Sequence, residues 1–347
     1  MPLVQNKKLI AFIFSAITTS TWSFQINPIK DRFELPRGMN PVHARWIENI
    51  SADVHEEITR RAHLCSLVMQ DIESHCTDSK INLTSAQEAR LKYLRWGVEW
   101  NDDPNNLIRT NLVSVWLYWL TDAHKKKNQI DTQYALEYRS HYGDLQFLHA
   151  MASDGDTAEQ TRSNVLSWAQ FAYGVATGNI KPSLTLGQLQ ENFPFTRKFQ
   201  GAKLSWTVRQ LFTNVGDFKR MYADVAVDDS GIADIAAGAL LHTLEDSFSC
   251  THVTRLEATD DDEPANAITR WNNYSKQDPK CHQSADRPPE WLDGDDIGKQ
   301  AVVRWSAELL RRIDARQPWS PDVEKYLTDK VFALAKNTSP EVCLSAH

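Results

Sequence analysis

The sequence lacks most of the features that assign a chain to a simple class. After residue 23 it has no apolar run long enough to span a bilayer, so no transmembrane segment is expected. It has no internal repeat and no low-complexity tract, which argues against solenoid and disordered proteins. Alternation of apolar and polar residues is nearly absent, so a sheet-based fold is not expected either. These absences leave a globular chain whose apolar periodicity is helical.

The sequence also lacks an excess of basic residues over acidic ones. The chain has 38 Lys and Arg against 45 Asp and Glu, a net charge of −7 at pH 7. Proteins that bind nucleic acid usually carry a basic surface, so no nucleic acid is expected as a partner. The one dense basic stretch is HKKKNQ at 124–129. It could contact anionic lipid, although a solvated helix end is the interpretation that the sequence favours.

The amino terminus has the layout of a secretory signal peptide. Lys7 and Lys8 precede the apolar run LIAFIFSAI, and small polar residues follow it. The run is too short to cross a bilayer. We therefore predict a signal peptide over residues 1–23, cleaved after Ser20 or Ser23, and a secreted or periplasmic protein.

Cysteines are few, and none of them forms the close pairs of a zinc finger. In an exported protein they favour disulfides. Cys65 and Cys76 could close a short loop, and Cys250 with Cys281 is a second candidate pair. Cys343 would then remain as the free thiol.

Periodic apolar residues predict an all-α fold, with residues 24–347 as one domain. The predicted helices begin near residues 54 and 85 and continue at 108–124, 131–151, 159–176, 204–226, 230–250, 295–313 and 321–336. Ser85 and Glu88 have the spacing of a capping box. Residues 254–294 are polar, acidic and then proline-rich, which predicts one long ordered loop that carries function.

The helix predicted over 230–250 carries polar groups on its inward face. Steps of three and four residues join Ile232, Ile235, Ala239, His242 and Asp246 into one stripe. Because the first three are apolar, the stripe points inward and takes the imidazole and the carboxylate with it. A buried carboxylate needs compensation. Taken alone, the pair is most simply read as a His–Asp hydrogen bond.

The same pattern recurs on three other predicted helices, at His55, Asp102 and His141. Four helices that each send an imidazole or a carboxylate inward are typical of a metal site in a helix bundle. Histidine and carboxylate ligands without paired cysteines suit zinc in a hydrolytic site. His149 is interpreted as a support for such ligands rather than as a ligand itself.

Four short motifs resemble the zinc-dependent phospholipase C superfamily, which includes single-strand-specific nucleases, and resemble its secreted bacterial phospholipase C branch most. They are HTLEDSFSCTH, GVEWND, SHYGD and HQSAD, and with His55 they span about residues 53–290. The resemblance implies a single-domain helical bundle of the zinc-dependent phospholipase C and nuclease type.

The resemblance also implies three groups of zinc ligands. The first is Asp102, His141, His242 and Asp246; the second is His252, His282 and Asp286, where aspartate replaces the family's glutamate; the third is His55 with Asp246 as a bridge. The family completes the third group with the amino-terminal tryptophan of the mature enzyme. Here Trp22 lies 33 residues before His55, a larger gap than the family's, and cleavage after Ser23 would remove it. Two or three zinc ions per chain are therefore expected.

The implied activity is that of a zinc-dependent phospholipase C. Metal-bound hydroxide would attack the glycerol-side phosphodiester of a phospholipid, with phosphatidylcholine favoured, and release diacylglycerol and a phosphorylated head group. Asp102 or Glu99 would accept a proton, and Trp271 and Tyr274 could contact the head group. A monomer acting at a membrane or micelle surface is expected. Two alternatives stay open: a single-strand-specific zinc nuclease, and a zinc- or lipid-binding protein without catalysis.

Overall fold

A computed structural model describes most of the chain between residues 54 and 336. The described residues are 54–71, 76, 82–110, 113–199, 201–214, 227–256, 266–276, 292 and 300–336. The predicted signal peptide lies outside them, as do the predicted ligands His282 and Asp286 and the cysteines Cys281 and Cys343.

The described residues are mostly helical, which confirms the helix-rich class that the periodicity predicts. The α-helices are α1 (Val54–Ser66), α2 (Ser85–Trp100), α3 (Val113–Lys126), α4 (Leu136–Tyr142), α5 (Ala158–Ala176), α6 (Val208–Thr213), α7 (Asp229–Asp246), α8 (Ala301–Asp314) and α9 (Pro321–Tyr326). Short 3₁₀ turns cover Gln146–His149, Pro194–Lys198, Gly201–Ser205 and Tyr274–Lys276, and a π turn, Leu327–Val331, follows α9. Among the described residues no helix is both long and apolar enough to cross a membrane.

The predicted helix over 131–151 is wrong, because the chain breaks in its middle. Helix α4 stops at Gly143, where a β-carbon would lie 2.8 Å from the Cα of Arg139. The 3₁₀ turn Gln146–His149 follows, and it ends at Ala150 in the left-handed region with φ 50°. This break turns His141 and His149 towards each other, with their ring centroids 4.8 Å apart.

Three of the helices, α2, α5 and α6, begin after a capping threonine. Thr84, not Ser85, caps α2: its hydroxyl accepts from the backbone N–H of Gln87, and the Gln87 side chain accepts from the backbone N–H of Thr84. The predicted helix over 204–226 does not begin at residue 204, because Thr207 caps the start of α6. Helix α6 ends at Thr213, because Asn214 is in an extended conformation. Residues 215–226 lie outside the described residues.

The predicted loop over 254–294 contains strands that the sequence pattern did not predict. Strand β1 (Val253–Arg255) pairs antiparallel with β2 (Ile268–Trp271), and Val253 lies opposite Trp271. At three and four residues these strands are too short for alternation to be visible. The pairing places Asn272 beside the turn after α7, where its backbone N–H donates to the His252 carbonyl oxygen at 2.8 Å.

The central packing contact is the crossing of α2 and α7. A β-carbon at Gly97 would lie 2.1 Å from the Ile235 carbonyl oxygen, and one at Gly238 would lie 2.1 Å from the Leu94 carbonyl oxygen. Only glycine fits these distances, so the two backbones touch. Helix α1 packs on both α2 and α8, and the predicted disulfide Cys65–Cys76 is present at its end.

Candidate metal centre

Separate elements bring six of the eight predicted ligands, together with His149, to one buried place. Helix α7 supplies His242 and Asp246 on its last turns, and Asp102 follows the end of α2. The remaining members come from the start of α1, from the two sides of the break after α4, and from the turn before β1: His55, His141, His149 and His252. None of these side chains belongs to a residue more than 6% exposed. Water therefore has little access to compensate their polarity.

Backbone carbonyls fix the protonated nitrogen of the two central histidines. The Nδ1 atom of His242 lies 2.6 Å from the Val98 carbonyl oxygen, so it carries the proton and Nε2 carries the lone pair. The Nε2 atom of His149 lies 3.1 Å from the Asn101 carbonyl oxygen, which leaves the lone pair on Nδ1. These two lone-pair nitrogens lie 3.0 Å apart. Two acceptors at this distance repel each other unless a cation lies near both.

A carboxylate closes the triangle. Asp246 Oδ2 lies 2.8 Å from His242 Nε2 and 3.0 Å from His149 Nδ1. Asp102 contributes its two oxygens at 3.9 Å from the same two nitrogens. Ligand atoms around a tetrahedral zinc ion with Zn–N of about 2.0–2.1 Å are about 3.3 Å apart. Asp102, His149 and His242 thus form a group whose donor atoms lie within 4.8 Å of one another and could hold a metal ion.

His55 and His141 repeat the arrangement at the two sides. His55 Nδ1 donates to Glu245 Oε2 at 2.6 Å, and its Nε2 faces Asp246 Oδ1 at 3.4 Å. His141 Nδ1 donates to the Glu137 carbonyl oxygen at 2.9 Å, and its Nε2 faces Asp102 Oδ1 at 3.7 Å. His55, His242 and Asp246 form a second group that could hold a metal ion. Asp246 therefore lies between two candidate positions, with one oxygen towards each.

The protonation states of Asp102, Asp246 and His149 suit metal binding. Burial alone would raise the pKa of Asp102, but His242, His141 and His149 bring it down to about 2. Burial opposes ionisation of Asp246 as well, yet His242 and His252 hold its pKa well below the usual range. Burial lowers the pKa of His149 to about 4 despite the nearby carboxylates. At neutral pH the centre therefore presents two carboxylates and a neutral imidazole, which are the forms that bind cations.

Glu245 is a functional candidate that the sequence analysis missed. Its carboxylate is fully buried and accepts from His55 Nδ1 and, at 2.8 Å, from the Thr59 hydroxyl. A carboxylate on the far nitrogen of a ligand histidine fixes the orientation and raises the basicity of the ring. The two carboxylates around His55 raise its pKa despite burial. The sequence shows that Glu245 is next to Asp246, but helical periodicity does not show that His55 is its partner.

His252 and Tyr274 form the third side of the centre. His252 Nδ1 donates to the His149 carbonyl oxygen at 2.7 Å, and its Nε2 lies 3.3 Å from the Tyr274 hydroxyl. The Tyr274 ring also lies against His141 and His149, at centroid distances of 5.6 and 5.9 Å. Tyr274 thus lies at the centre. His282 and Asp286, which were predicted to share a zinc ion with His252, are outside the described residues.

The other predicted residues are placed elsewhere. Glu99 accepts from Arg109 at 3.0 Å, and that guanidinium stacks on Trp96, so the carboxylate is held by a permanent cation. Trp271 is 6% exposed and packs on Phe332 in the main core. Among the described residues no contact joins either side chain to the histidine cluster. Neither placement supports the predicted roles in proton acceptance and head-group binding.

His149 was predicted only to support the ligands, but its ring lies directly against Asp246 and His242. Asn101 holds it there: the Asn101 side chain donates to the Leu148 carbonyl oxygen at 2.6 Å, while its backbone carbonyl accepts from the ring. The eight-residue spacing from His141 gave no reliable signal, because the chain between the two histidines is not one continuous helix.

Comparisons of the chain with protein-family models, with curated proteins and with solved structures found no match.

Proposed function

We propose that this protein is a zinc-dependent phosphodiesterase of the phospholipase C type. The observation that carries the proposal is the orientation of the buried imidazoles. His55, His141, His149 and His242 each have one ring nitrogen on a carbonyl or carboxylate acceptor and turn the other towards Asp102 or Asp246. A hydrogen-bonded core would pair these groups donor to acceptor. Lone pairs that converge from several elements are instead the arrangement of a ligand set.

The donor set fits zinc better than the alternatives. Imidazole nitrogens with a few carboxylate oxygens suit zinc, whereas calcium and magnesium prefer oxygen ligands alone. Asp102, His149, His242 and Asp246 would hold one ion, with His141 beside Asp102, and His55 with Asp246 would help to hold another. When bound, zinc supplies a Lewis acid for the phosphoryl oxygens and lowers the pKa of water.

The side chains around the ions would then bind and orient a phosphodiester. Asp102, with a pKa of about 2, is a weak proton acceptor and is better suited to hold a cation. The Tyr274 hydroxyl lies 3.3 Å from His252 Nε2, where it could donate to a phosphoryl oxygen. Glu245 and Asn101 would hold His55 and His149 in register. Burial of the whole set strengthens each of these interactions.

A phospholipid is favoured over a nucleic acid as the substrate. The chain carries −7 net charge, so it has no overall attraction for a polyanion. The ring centroids of Tyr274 and Tyr142 lie 5.8 Å apart, and both rings belong to an aromatic cluster beside the histidines. Such a cluster can contact a quaternary ammonium head group by cation–π attraction. Nucleic-acid bases also stack on aromatic rings, so the nuclease remains the second candidate.

The substrate class can be tested on one purified sample. Phosphatidylcholine and single-stranded DNA are offered in turn, with zinc, with a chelator, and with zinc restored. Release of a water-soluble phosphorylated head group that stops with the chelator and returns with zinc supports the proposal. Metal-dependent release of oligonucleotides would assign the nuclease instead. A zinc-loaded sample that cleaves neither substrate would leave only the non-catalytic alternative.

A further inference from the structure

One exposed helix face beside the metal centre combines aromatic and basic side chains. In α3 the residues Trp116, Leu120 and Ala123 are buried, which sets the inward face of the helix. Tyr118, on the outer side, is 56% exposed, and Lys125, seven residues or about two turns further along, is also exposed. We use the name docking face for Tyr118, Trp119, Lys125, Lys126 and Lys127.

We propose that the docking face binds the surface of an anionic phospholipid bilayer. This inference concerns membrane attachment and goes beyond the proposed hydrolysis, which it does not require. The chain as a whole is acidic, yet residues 113–127 contain three lysines and a single acid, Asp122. That acid is already paired, since Lys126 lies 2.6 Å from it and the Tyr138 hydroxyl donates to it at 2.8 Å. Three lysines and one aspartate leave a local net charge of +2 with His124 neutral, which is complementary to an anionic surface.

The exposed aromatic ring distinguishes this face from other exposed apolar side chains. Among the described residues, Leu67 and Val68 are the other large apolar side chains with strong exposure. They lie close to Asp71, an exposed acid, and not beside a lysine cluster. Aromatic rings flanked by lysines are the composition of helices that lie in the headgroup region of a membrane, because the ring enters the interface while the ammonium groups meet lipid phosphates.

Contacts from α3, and from the docking face itself, connect this region to the metal centre. The Trp116 indole N–H donates to the Asp102 carbonyl oxygen at 3.1 Å. Lys127 donates to the Ser275 carbonyl oxygen at 3.2 Å, next to Tyr274. Trp119 packs on Tyr138, which belongs to the same aromatic cluster as Tyr142 and Tyr274. A bilayer bound at α3 would therefore lie over the aromatic cluster that lines the histidines.

The experiment measures sedimentation of the full chain with vesicles. One set is pure phosphatidylcholine and the other contains added phosphatidylglycerol. We expect stronger binding to the anionic vesicles and its loss at high salt, because screening shortens the reach of the lysines. Soluble phosphorus in the supernatant is measured in the same tubes. Failure of the proposed hydrolysis and failure of membrane binding are then read separately.

Variants locate the binding surface. Lys125→Gln should weaken binding to anionic vesicles by about fivefold, since each lysine near a charged membrane contributes a factor of this size. Tyr118→Asp should weaken it further, while the matched variants Val68→Asp and Lys92→Gln, at exposed positions elsewhere, should not. Unchanged thermal unfolding would show that the variants fold. The proposal fails if all four variants bind alike, or if neutral and anionic vesicles bind equally at every salt concentration. Binding of single-stranded DNA with the same dependence on Tyr118 and Lys125, without vesicle binding, would overturn it in favour of a nucleic-acid surface.

Discussion

Replacing Gly238 by alanine tests whether the close crossing of α2 and α7 builds the metal centre. The new β-carbon would lie 2.1 Å from the Leu94 carbonyl oxygen and 2.8 Å from the Gly97 Cα, and both are backbone atoms that cannot rotate away. Ordinary contact needs more than 3 Å, so the helices must separate locally by about 1 Å. The His242 Nδ1 bond to the Val98 carbonyl oxygen, now 2.6 Å, would then stretch beyond hydrogen-bonding distance.

The expected cost has two parts. Overpacking of this kind costs about 1–3 kcal/mol, and a buried donor that loses its acceptor costs about 1–3 kcal/mol more. In a domain of this size that corresponds to a fall in melting temperature of roughly 3–9 °C. Zinc affinity should fall by about 10–100-fold, because the partner that orients His242 is displaced.

The matched control is Gly231→Ala on the same helix. There the added β-carbon meets side-chain atoms of Val227 and Tyr93, which can move. Thermal unfolding and zinc retention during dialysis against a chelator should therefore change much less than in Gly238→Ala. If Gly238→Ala matched the wild type in both measurements, the helix crossing would not be what positions His242.

Three further predictions address single side chains. Glu245→Gln should lower zinc affinity by about tenfold, because the charge behind His55 is lost while an acceptor remains; competition with a chromogenic chelator measures this, and equal affinity would remove Glu245 from the centre. Burial raises the pKa of Glu137 from 4.5 to about 8. Between these two pH values the folded state holds a proton that the unfolded state releases. The free energy of unfolding should therefore fall as pH rises from about 4.5 to about 8. Glu137→Gln should flatten this pH dependence, whose slope is at most about 1.4 kcal/mol per pH unit. Denaturant midpoints of the two proteins near pH 5 and pH 8 would measure the difference. The same pH dependence in the wild type and the variant would contradict the prediction. Tyr274→Phe keeps the ring contacts but removes the hydroxyl beside His252, so zinc content should stay constant while phosphodiester turnover falls by roughly tenfold; unchanged turnover would limit Tyr274 to packing.

Much of the centre was predictable because helical periodicity reports which side chains point inward. His242 and Asp246 continue an apolar stripe, and a buried imidazole and carboxylate one turn apart require a partner whatever the fold. The stripes of α1 and α2 identified His55 and Asp102 in the same way. Such patterns give direction but not distance, so the approach of these four groups needed the tertiary structure.

The features that periodicity missed depend on local backbone geometry or on partners far away in the sequence. The break at Gly143 depends on how closely the chain turns back on Arg139, and apolar spacing does not report that distance. As a result the apolar spacing predicted one continuous helix and gave His149 only a supporting role. Glu245 was missed because its partner His55 lies 190 residues away. Glu99 shows the converse: its sequence neighbourhood suggested the centre, but Arg109 holds it.

Metal analysis of the purified full-length protein tests the central claim most directly. If the converging lone pairs of His149, His242 and Asp246 are a ligand set, mass spectrometry of the digested protein should find zinc at one or more equivalents per chain after gel filtration. His242→Ala and Asp246→Asn, checked for folding by circular dichroism, should lose most of it. A folded wild-type protein that remains free of metal after incubation with zinc, or variants that keep the full wild-type content, would contradict the account.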